Sequence, residues 1–237
     1  MNIATAAQMR EMDRTAIEER GIPSVQLMEA AACAVARAVS ELAGGKTDGR
    51  AVLFCGPGNN GGDGVAAARF LLEMGWEVRC VLVGKREKMS ADCREMERRL
   101  EQSGAKLEYF TDSDPHYAPW SLEADVCVDA LFGVGLSRPV APDSAYAAAI
   151  GWMNESRGAV VAADIASGVE ADTGRVLGTA VNAAKTVTFT LPKVGHFVGK
   201  GGLCCGALEV VDIGIPDDLV RRESYPVTSV DRSRVSL

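Results

Sequence analysis

Residues 55–64, CGPGNNGGDG, place five glycines in nine positions between an apolar β-branched run and an amphipathic helical one. Gly56, Gly58 and Gly61 have the GxGxxG spacing of a dinucleotide-binding turn. In such a turn glycine lets the backbone bend sharply and approach phosphate oxygens, while the start of the next helix offers unpaired N–H groups to an anion. The chemistry implied is the binding of a phosphate-bearing nucleotide. Asn59, Asn60 and Asp63 bring side-chain oxygens to the same turn. Asp63 reads either as a helix-start carboxylate favoured by the dipole or as a holder of a substrate hydroxyl.

Two further carboxylates stand near the ends of apolar runs: Asp129 in VCVDA and Asp164 in VVAADI, the latter followed by Ser167-Gly168. A carboxylate in such a run is costly unless it faces a cleft, although each also reads as an ordinary turn former. The three sites together outline a cleft rich in oxygen ligands, which suits a hard cation better than a transition metal. His116 and His196 are the only histidines and have no cysteine at finger spacing, which argues against a zinc site or a histidine triad. Both read as surface or loop residues and receive no role.

The elements that must position these groups follow a repeating pattern. Strands are expected at 51–55, 77–83, 106–110, 125–130, 159–165, 186–191 and 207–213, with helices at 64–74, 91–102 and 144–155 between some of them. Short apolar runs joined by amphipathic helices imply parallel strands with crossovers, hence an α/β, Rossmann-like three-layer αβα sandwich with a mostly parallel central sheet. Two helices precede it, one capped by Thr5 and one by Ser24, with GIP at 21–23 between them. Their apolar faces cover the sheet or form an interface, so a homodimer is compatible with the sequence.

At 237 residues and a net charge of −7, one domain is the default and no basic patch invites nucleic acid. The basic clusters at 85–88 and 97–99 are interleaved with acids and read as a solvated helix face. No run is long and apolar enough for a membrane span, and the N-terminus lacks a secretory pattern, so a cytoplasmic setting is expected. Seven cysteines without a CxxC pair read as reduced packing residues. The polar stretch 217–237 reads as a linker or disordered tail after a domain spanning 1–216.

Taken together, GPGNNGGDG at 56–64, VDALFGVGL at 128–136, DIASGVEADTG at 164–174 and the segment 190–216 resemble, in order and spacing, the NAD(P)HX epimerase family, also called the YjeF N-terminal domain. GIPSVQLME at 21–29 adds to the likeness, which covers about residues 4–216. The resemblance implies epimerisation of the R and S forms of hydrated NADH or NADPH, with an ATP-dependent dehydratase, fused or separate, as partner. It implies a potassium ion on Asn60, Asp129 and Ser167. Substrate would lie along Asn59, Asn60, Gly61, Gly62 and Asp63, along Gly133, Val134, Gly135, Leu136, Ser137, Arg138 and Pro139, and against Asp164. Proton transfer is assigned first to Asp129 and second to Asp164, and the tail resembles a linker into a dehydratase domain.

Four positions depart from the family pattern: Ala166 replaces proline, Glu170 replaces aspartate, and Ala30 and Ala32 replace Asn and Gly. Alanine at 166 is expected to loosen the loop that carries Ser167. Two competing readings remain at the level of sequence. One is an NADP-dependent reductase using Lys85 or Arg86 at the end of the second strand, and the other is a non-catalytic nucleotide- or protein-binding module of the same fold.

Overall fold

The computed structural model describes residues 2–110, 123–222, Tyr225 and the pair 227–228. His116 and most of the 217–237 stretch lie outside the described residues.

The chain opens with a short strand β1 (Asn2–Ile3), helix α1 (Ala6–Arg14), which runs into a π turn at Thr15–Glu19, and helix α2 (Ser24–Leu42). There follow β2 (Arg50–Cys55), α3 (Asn59–Glu73), β3 (Glu77–Leu82), α4 (Ala91–Gln102), β4 (Leu107–Tyr109) and β5 (Val126–Ala130). The second half contains α5 (Ala145–Glu155), β6 (Ala159–Ala163), β7 (Lys185–Phe189), α6 (Gly199–Cys204), β8 (Ala207–Val211), α7 (Asp217–Arg222) and β9 (Val227–Thr228). All seven strands expected from the sequence are present, each within two residues at either end.

Those seven strands form one wholly parallel sheet in the order β4-β3-β2-β5-β6-β7-β8. Successive side chains on a strand point to opposite faces, and both faces of the sheet's centre are covered, which is why β2, β5 and β6 are apolar almost throughout. Leu53, Cys55, Val128, Ala130 and Val161 pack with α2, α3 and α4 on one face. Val52, Phe54, Cys127, Val160 and Ala162 pack with α5 on the other. A smaller cluster joins Met9 and Met12 of α1 and Ala16 of the π turn to Leu27, Leu191, Ile215 and Leu219.

Several helix starts follow their sequence signals. Thr5 and Gln8 form a reciprocal capping box at α1, and the hydroxyls of Ser90 and Ser144 accept N–H bonds at the starts of α4 and α5. Helix α2 is a correction: Pro23 occupies the cap position, while Ser24 is the first helical residue and donates its hydroxyl to Asp92 at 3.0 Å. Helix α3 starts at Asn59, five residues before the expected Gly64, so the glycine turn is its first turn.

Part of the stretch read as a linker is structured. Asp217–Arg222 is helical with Leu219 buried, and Val227–Thr228 pairs antiparallel with Asn2–Ile3. The charged face of α4 is also less solvated than its pattern implies, because Glu97 is buried and bonded by Arg86. The seven cysteines are free; six are buried and Cys33 is exposed.

Candidate active site at the reversal of strand order

Strand order reverses between β2 and β5, and in open α/β sheets the loops leaving the carboxyl ends of such a pair diverge and leave a crevice. The glycine turn leaves β2 there, tied to the neighbouring strand by the Gly56 N–H donating to the Ala130 carbonyl at 2.9 Å. Gly58 is the N-cap of α3 and offers no side-chain cap, and the Gly62 N–H makes an early helical bond to the Gly58 carbonyl at 3.1 Å. The first N–H groups of α3 are therefore left for a ligand. Close packing explains two of the glycines: a Cβ on Gly61 would lie 1.7 Å from the Gly56 oxygen, and one on Gly64 would lie 2.5 Å from the Ala130 Cβ.

A cavity of about 780 Å³ occupies the crevice. Asn59, Asn60 and Asp63 line it from the turn, residues 133–139 from the loop after β5, and Asp164 from the end of β6. Gly61 and Gly62 do not line it; a Cβ on Gly62 would meet the Met28 side chain instead. Asp129 and Ser167 do not line it either. Lys85 and Arg86, the residues on which a reductase reading depends, lie outside the cavity.

Asp164 has a left-handed backbone, φ +66°, which a non-glycine residue holds only when its surroundings enforce it. The enforcement is visible. Its N–H donates to the Val187 carbonyl at 2.7 Å, and its own carbonyl meets His196 Nε2 at 2.9 Å. Its Oδ1 accepts bonds from the Lys193 ammonium and, at 3.2 Å, from the Thr188 hydroxyl, which itself accepts from Lys193 at 2.8 Å. Burial pushes the Asp164 carboxyl up, but the charge and hydrogen bond of Lys193 outweigh it and hold the group ionised below its ordinary range. Oδ2 is left facing Gly133, whose Cβ position would be 3.0 Å away, with Asn60 Oδ1 3.3 Å from the same point.

His196 is buried rather than superficial, which corrects the sequence reading. Its Nδ1 accepts the Lys193 N–H at 3.0 Å, so Nε2 carries the proton and donates to Asp164. Burial, helped by the Lys193 charge, lowers its pKa to about 4 and keeps the ring neutral.

Asp129 lies beneath this layer, fully buried. Its Oδ2 accepts the Ser167 N–H at 2.7 Å and its Oδ1 the Leu131 N–H at 3.2 Å, while Ser167 Oγ accepts the Phe132 N–H at 3.0 Å. Among the described residues no lysine or arginine pairs with it, and burial raises its pKa to about 6 against the opposing hydrogen bonds. Ala166, which stands in place of proline, is buried, and its carbonyl accepts the Val169 N–H at 3.0 Å.

The structure thus brings Asn60, Gly133 and Asp164 together on the cavity wall, and binds Asp129 to Ser167 directly behind Phe132. It adds residues that sequence reasoning passed over: Lys193 and His196 behind Asp164, and Met9, Arg10, Asp13 and Ile17 of the first helical segment along the cavity. Asp13 had one legible signal, an acid on the same helical face as the apolar Met9 and Ile17. Lys193 had none, because a lone lysine after a proline carries no periodicity.

A family model described as "YjeF-related protein N-terminus" matches residues 24–195. The chain is 39% identical over 212 residues to the NAD(P)H-hydrate epimerase of Limosilactobacillus fermentum, covering 88% of this chain and 95% of that one. It is 41% identical over 228 residues to the bifunctional NAD(P)H-hydrate repair enzyme Nnr of Moorella thermoacetica, covering 95% of this chain and 43% of that one. The chain therefore spans less than half the length of the bifunctional relatives it matches. In structure it matches the crystal structure of yeast ynu0 with a TM-score of 0.79 at 21% identity, covering 98% of both chains, which is a likeness of fold. With the glycine turn, the loop after β5 and the Asp164 corner meeting at one crevice, the chain belongs to the YjeF N-terminal family.

Proposed function

We propose that this chain interconverts the R and S hydrates of NADH and NADPH. The observation that carries the reading is the ionised Asp164, with one carboxylate oxygen held by Lys193 and the other directed at Gly133, inside a cavity at the nucleotide-binding edge of the sheet. Relatives named NAD(P)H-hydrate epimerase, of nearly the same length as this chain, support it.

A hydrated nicotinamide ring bears a hydroxyl on the carbon beside the ring nitrogen. The nitrogen lone pair expels that hydroxyl as water and leaves a flat cation, which water attacks from either side. The chain's part is to bind the nucleotide, hold the ring and manage charge and protons. The open start of α3 and Arg138 suit the phosphates. The Asp164 carboxylate opposes the cation's charge and, at Oδ2, takes the proton of the incoming water. Asp129, without a face on the cavity, acts on the loops instead.

The donor set behind the cavity suits a potassium ion. Asp129 is a buried carboxylate with no cationic partner among the described residues, Ser167 offers a hydroxyl oxygen, and the Asn60 amide nitrogen is buried without a hydrogen bond. An amide can turn to present its oxygen in that nitrogen's place, and amide, carboxylate and hydroxyl oxygens are hard ligands. Asn60, Asp129 and Ser167 would hold the ion. When bound it supplies a fixed positive charge that neutralises Asp129 and orders the loops after β2, β5 and β6. Among the described residues no cluster of His, Cys, Asp and Glu is arranged for any other metal.

An ATP-dependent dehydratase acting on the S hydrate is the natural partner, as the bifunctional names of several relatives suggest. No helix among the described residues is long and apolar enough to cross a membrane, and the free cysteines fit a reducing, cytoplasmic setting. The deciding experiment supplies R-hydrated NADH with an S-specific dehydratase and ATP and follows the appearance of NADH. Complete recovery dependent on this chain supports the reading; recovery at the spontaneous epimerisation rate removes it.

A further inference from the structure

We infer that Asp13, on the α1 wall of the cavity, is a further catalytic residue: the acid that protonates the departing hydroxyl. The inference rests on the proposed hydrate chemistry and deepens it.

Three placements lead to it. Met9, Asp13 and Ile17 line the cavity at intervals of four residues with Arg10 beside them, so Asp13 is the one carboxyl that the first helical segment turns to the site. That carboxyl is half-buried and has no hydrogen bond or ion pair among the described residues. A carboxyl on a cavity wall that no protein group engages is free to meet a ligand there. Helix α1 is also held to the site from both sides, because the Ala6 N–H donates to Asp172 at 2.6 Å in the loop after β6 and Arg10 donates to the Val134 carbonyl at 3.3 Å in the loop after β5. A π turn follows at once, a feature common at functional sites.

The two aspartates are driven apart in character. Lys193 keeps Asp164 ionised, whereas burial and then the Asp164 charge raise Asp13 to about 6, against the pull of Lys193. Asp63 of α3 also reaches Asp13 electrostatically, while Asp92 of α4, Arg138 of the loop after β5 and Arg10 of its own helix share the cavity. Two carboxyls whose surroundings separate their affinities for a proton form an acid and base pair.

In the step proposed, the ring C–O bond breaks with its electron pair leaving on oxygen, which takes the Asp13 proton and departs as water. The nitrogen lone pair becomes the C=N bond, placing positive charge on the ring and negative charge on Asp13. Water then forms a new C–O bond, the C=N electrons return to nitrogen, and the surplus proton passes to Asp164. Proton exchange with solvent returns Asp164 and Asp13 to their starting states, and the opposite epimer runs the same steps in reverse from the minor state in which Asp164 carries the proton and Asp13 is ionised.

The test compares wild type with Asp13→Asn and Asp13→Glu. It measures hydrate epimerisation from pH 5 to 9, affinity for NADPH as a non-reacting probe, and thermal midpoints. We expect Asp13→Asn to lower kcat about 100-fold or more. KM, NADPH affinity and midpoint should stay near wild type, the fall in rate above about pH 6 should disappear, and Asp13→Glu should recover part of kcat. An unchanged kcat, a change confined to KM, or a loss matched by a lowered midpoint overturns the role. A wild type no faster than the spontaneous reaction defeats the underlying epimerase reading, whereas an active wild type with an equally active Asp13→Asn defeats Asp13 alone.

Discussion

Lys193 Nζ and the Asp164 carboxylate meet at the base of the cavity with 1% and 11% of their side chains exposed, although they belong to segments on either side of β7. The pair closes the Asp164 corner, since Thr188 links both partners and His196 bonds the backbone of each.

Replacing Lys193 with Met leaves that carboxylate buried without its cation. Breaking a buried pair from one side costs about 3 kcal/mol or more. Urea unfolding of Lys193→Met should show a loss of that order, with epimerisation falling as Asp164 takes up a proton. A variant as stable and active as wild type would deny the pair its role.

His196 gives a pH signature. Its pKa is lowered in the folded chain, from 6.5 to about 4, so the stability it contributes is complete above pH 6.5 and is lost as pH falls towards 4. The shift corresponds to about 3 kcal/mol. Unfolding free energies of wild type and His196→Gln should diverge by about that amount between pH 7 and 4, with wild type the more acid-sensitive. Parallel curves would mean that the ring is not held neutral.

Gly133 and Gly61 separate function from packing. A methyl group on Gly133 would press on Asp164 Oδ2 and Asn60 at 3.0 and 3.3 Å, both side-chain atoms that have some room to yield. Gly133→Ala should fold with a near-native thermal midpoint yet lose at least about tenfold in kcat, since small misplacements at a reacting group are expensive. Gly61→Ala meets a backbone oxygen instead and should lose about 3 kcal/mol of stability. The reverse ranking in paired melting and rate measurements would contradict this geometry.

Potassium should raise the thermal midpoint of the chain progressively with concentration, because a ligand of the folded state alone stabilises by mass action. Replacing Asp129 with Asn should abolish the potassium-dependent rise, and tetramethylammonium should not reproduce it. Equal midpoints in the two salts would remove the cation from the proposal.

The sheet was legible because its strands are buried on both faces, so that runs such as AVLFC and VVAA announce themselves without any partner being known. The crevice was legible too, since glycine, Asn and Asp at strand ends mark where loops diverge. What stayed hidden depends on side-chain direction and long-range contact. Asp129 and Asp164 look alike in sequence, but the alternation along β5 sends Asp129 to the face of Cys127 and Ser167, whereas the left-handed turn of Asp164 brings it to the cavity. Lys193 acquires meaning only when β7 lies beside β6. Ser24 followed a sound capping rule that the preceding proline displaced.

Residues 24–195 match the family model, yet Met9, Arg10, Asp13 and Ile17 come before that span. The parallel sheet and the glycine turn contain no residue of the first helical segment, whereas the chamber wall does. Substitutions on this outer wall can reshape what the chamber admits and how it handles protons while leaving every strand pairing of the scaffold intact.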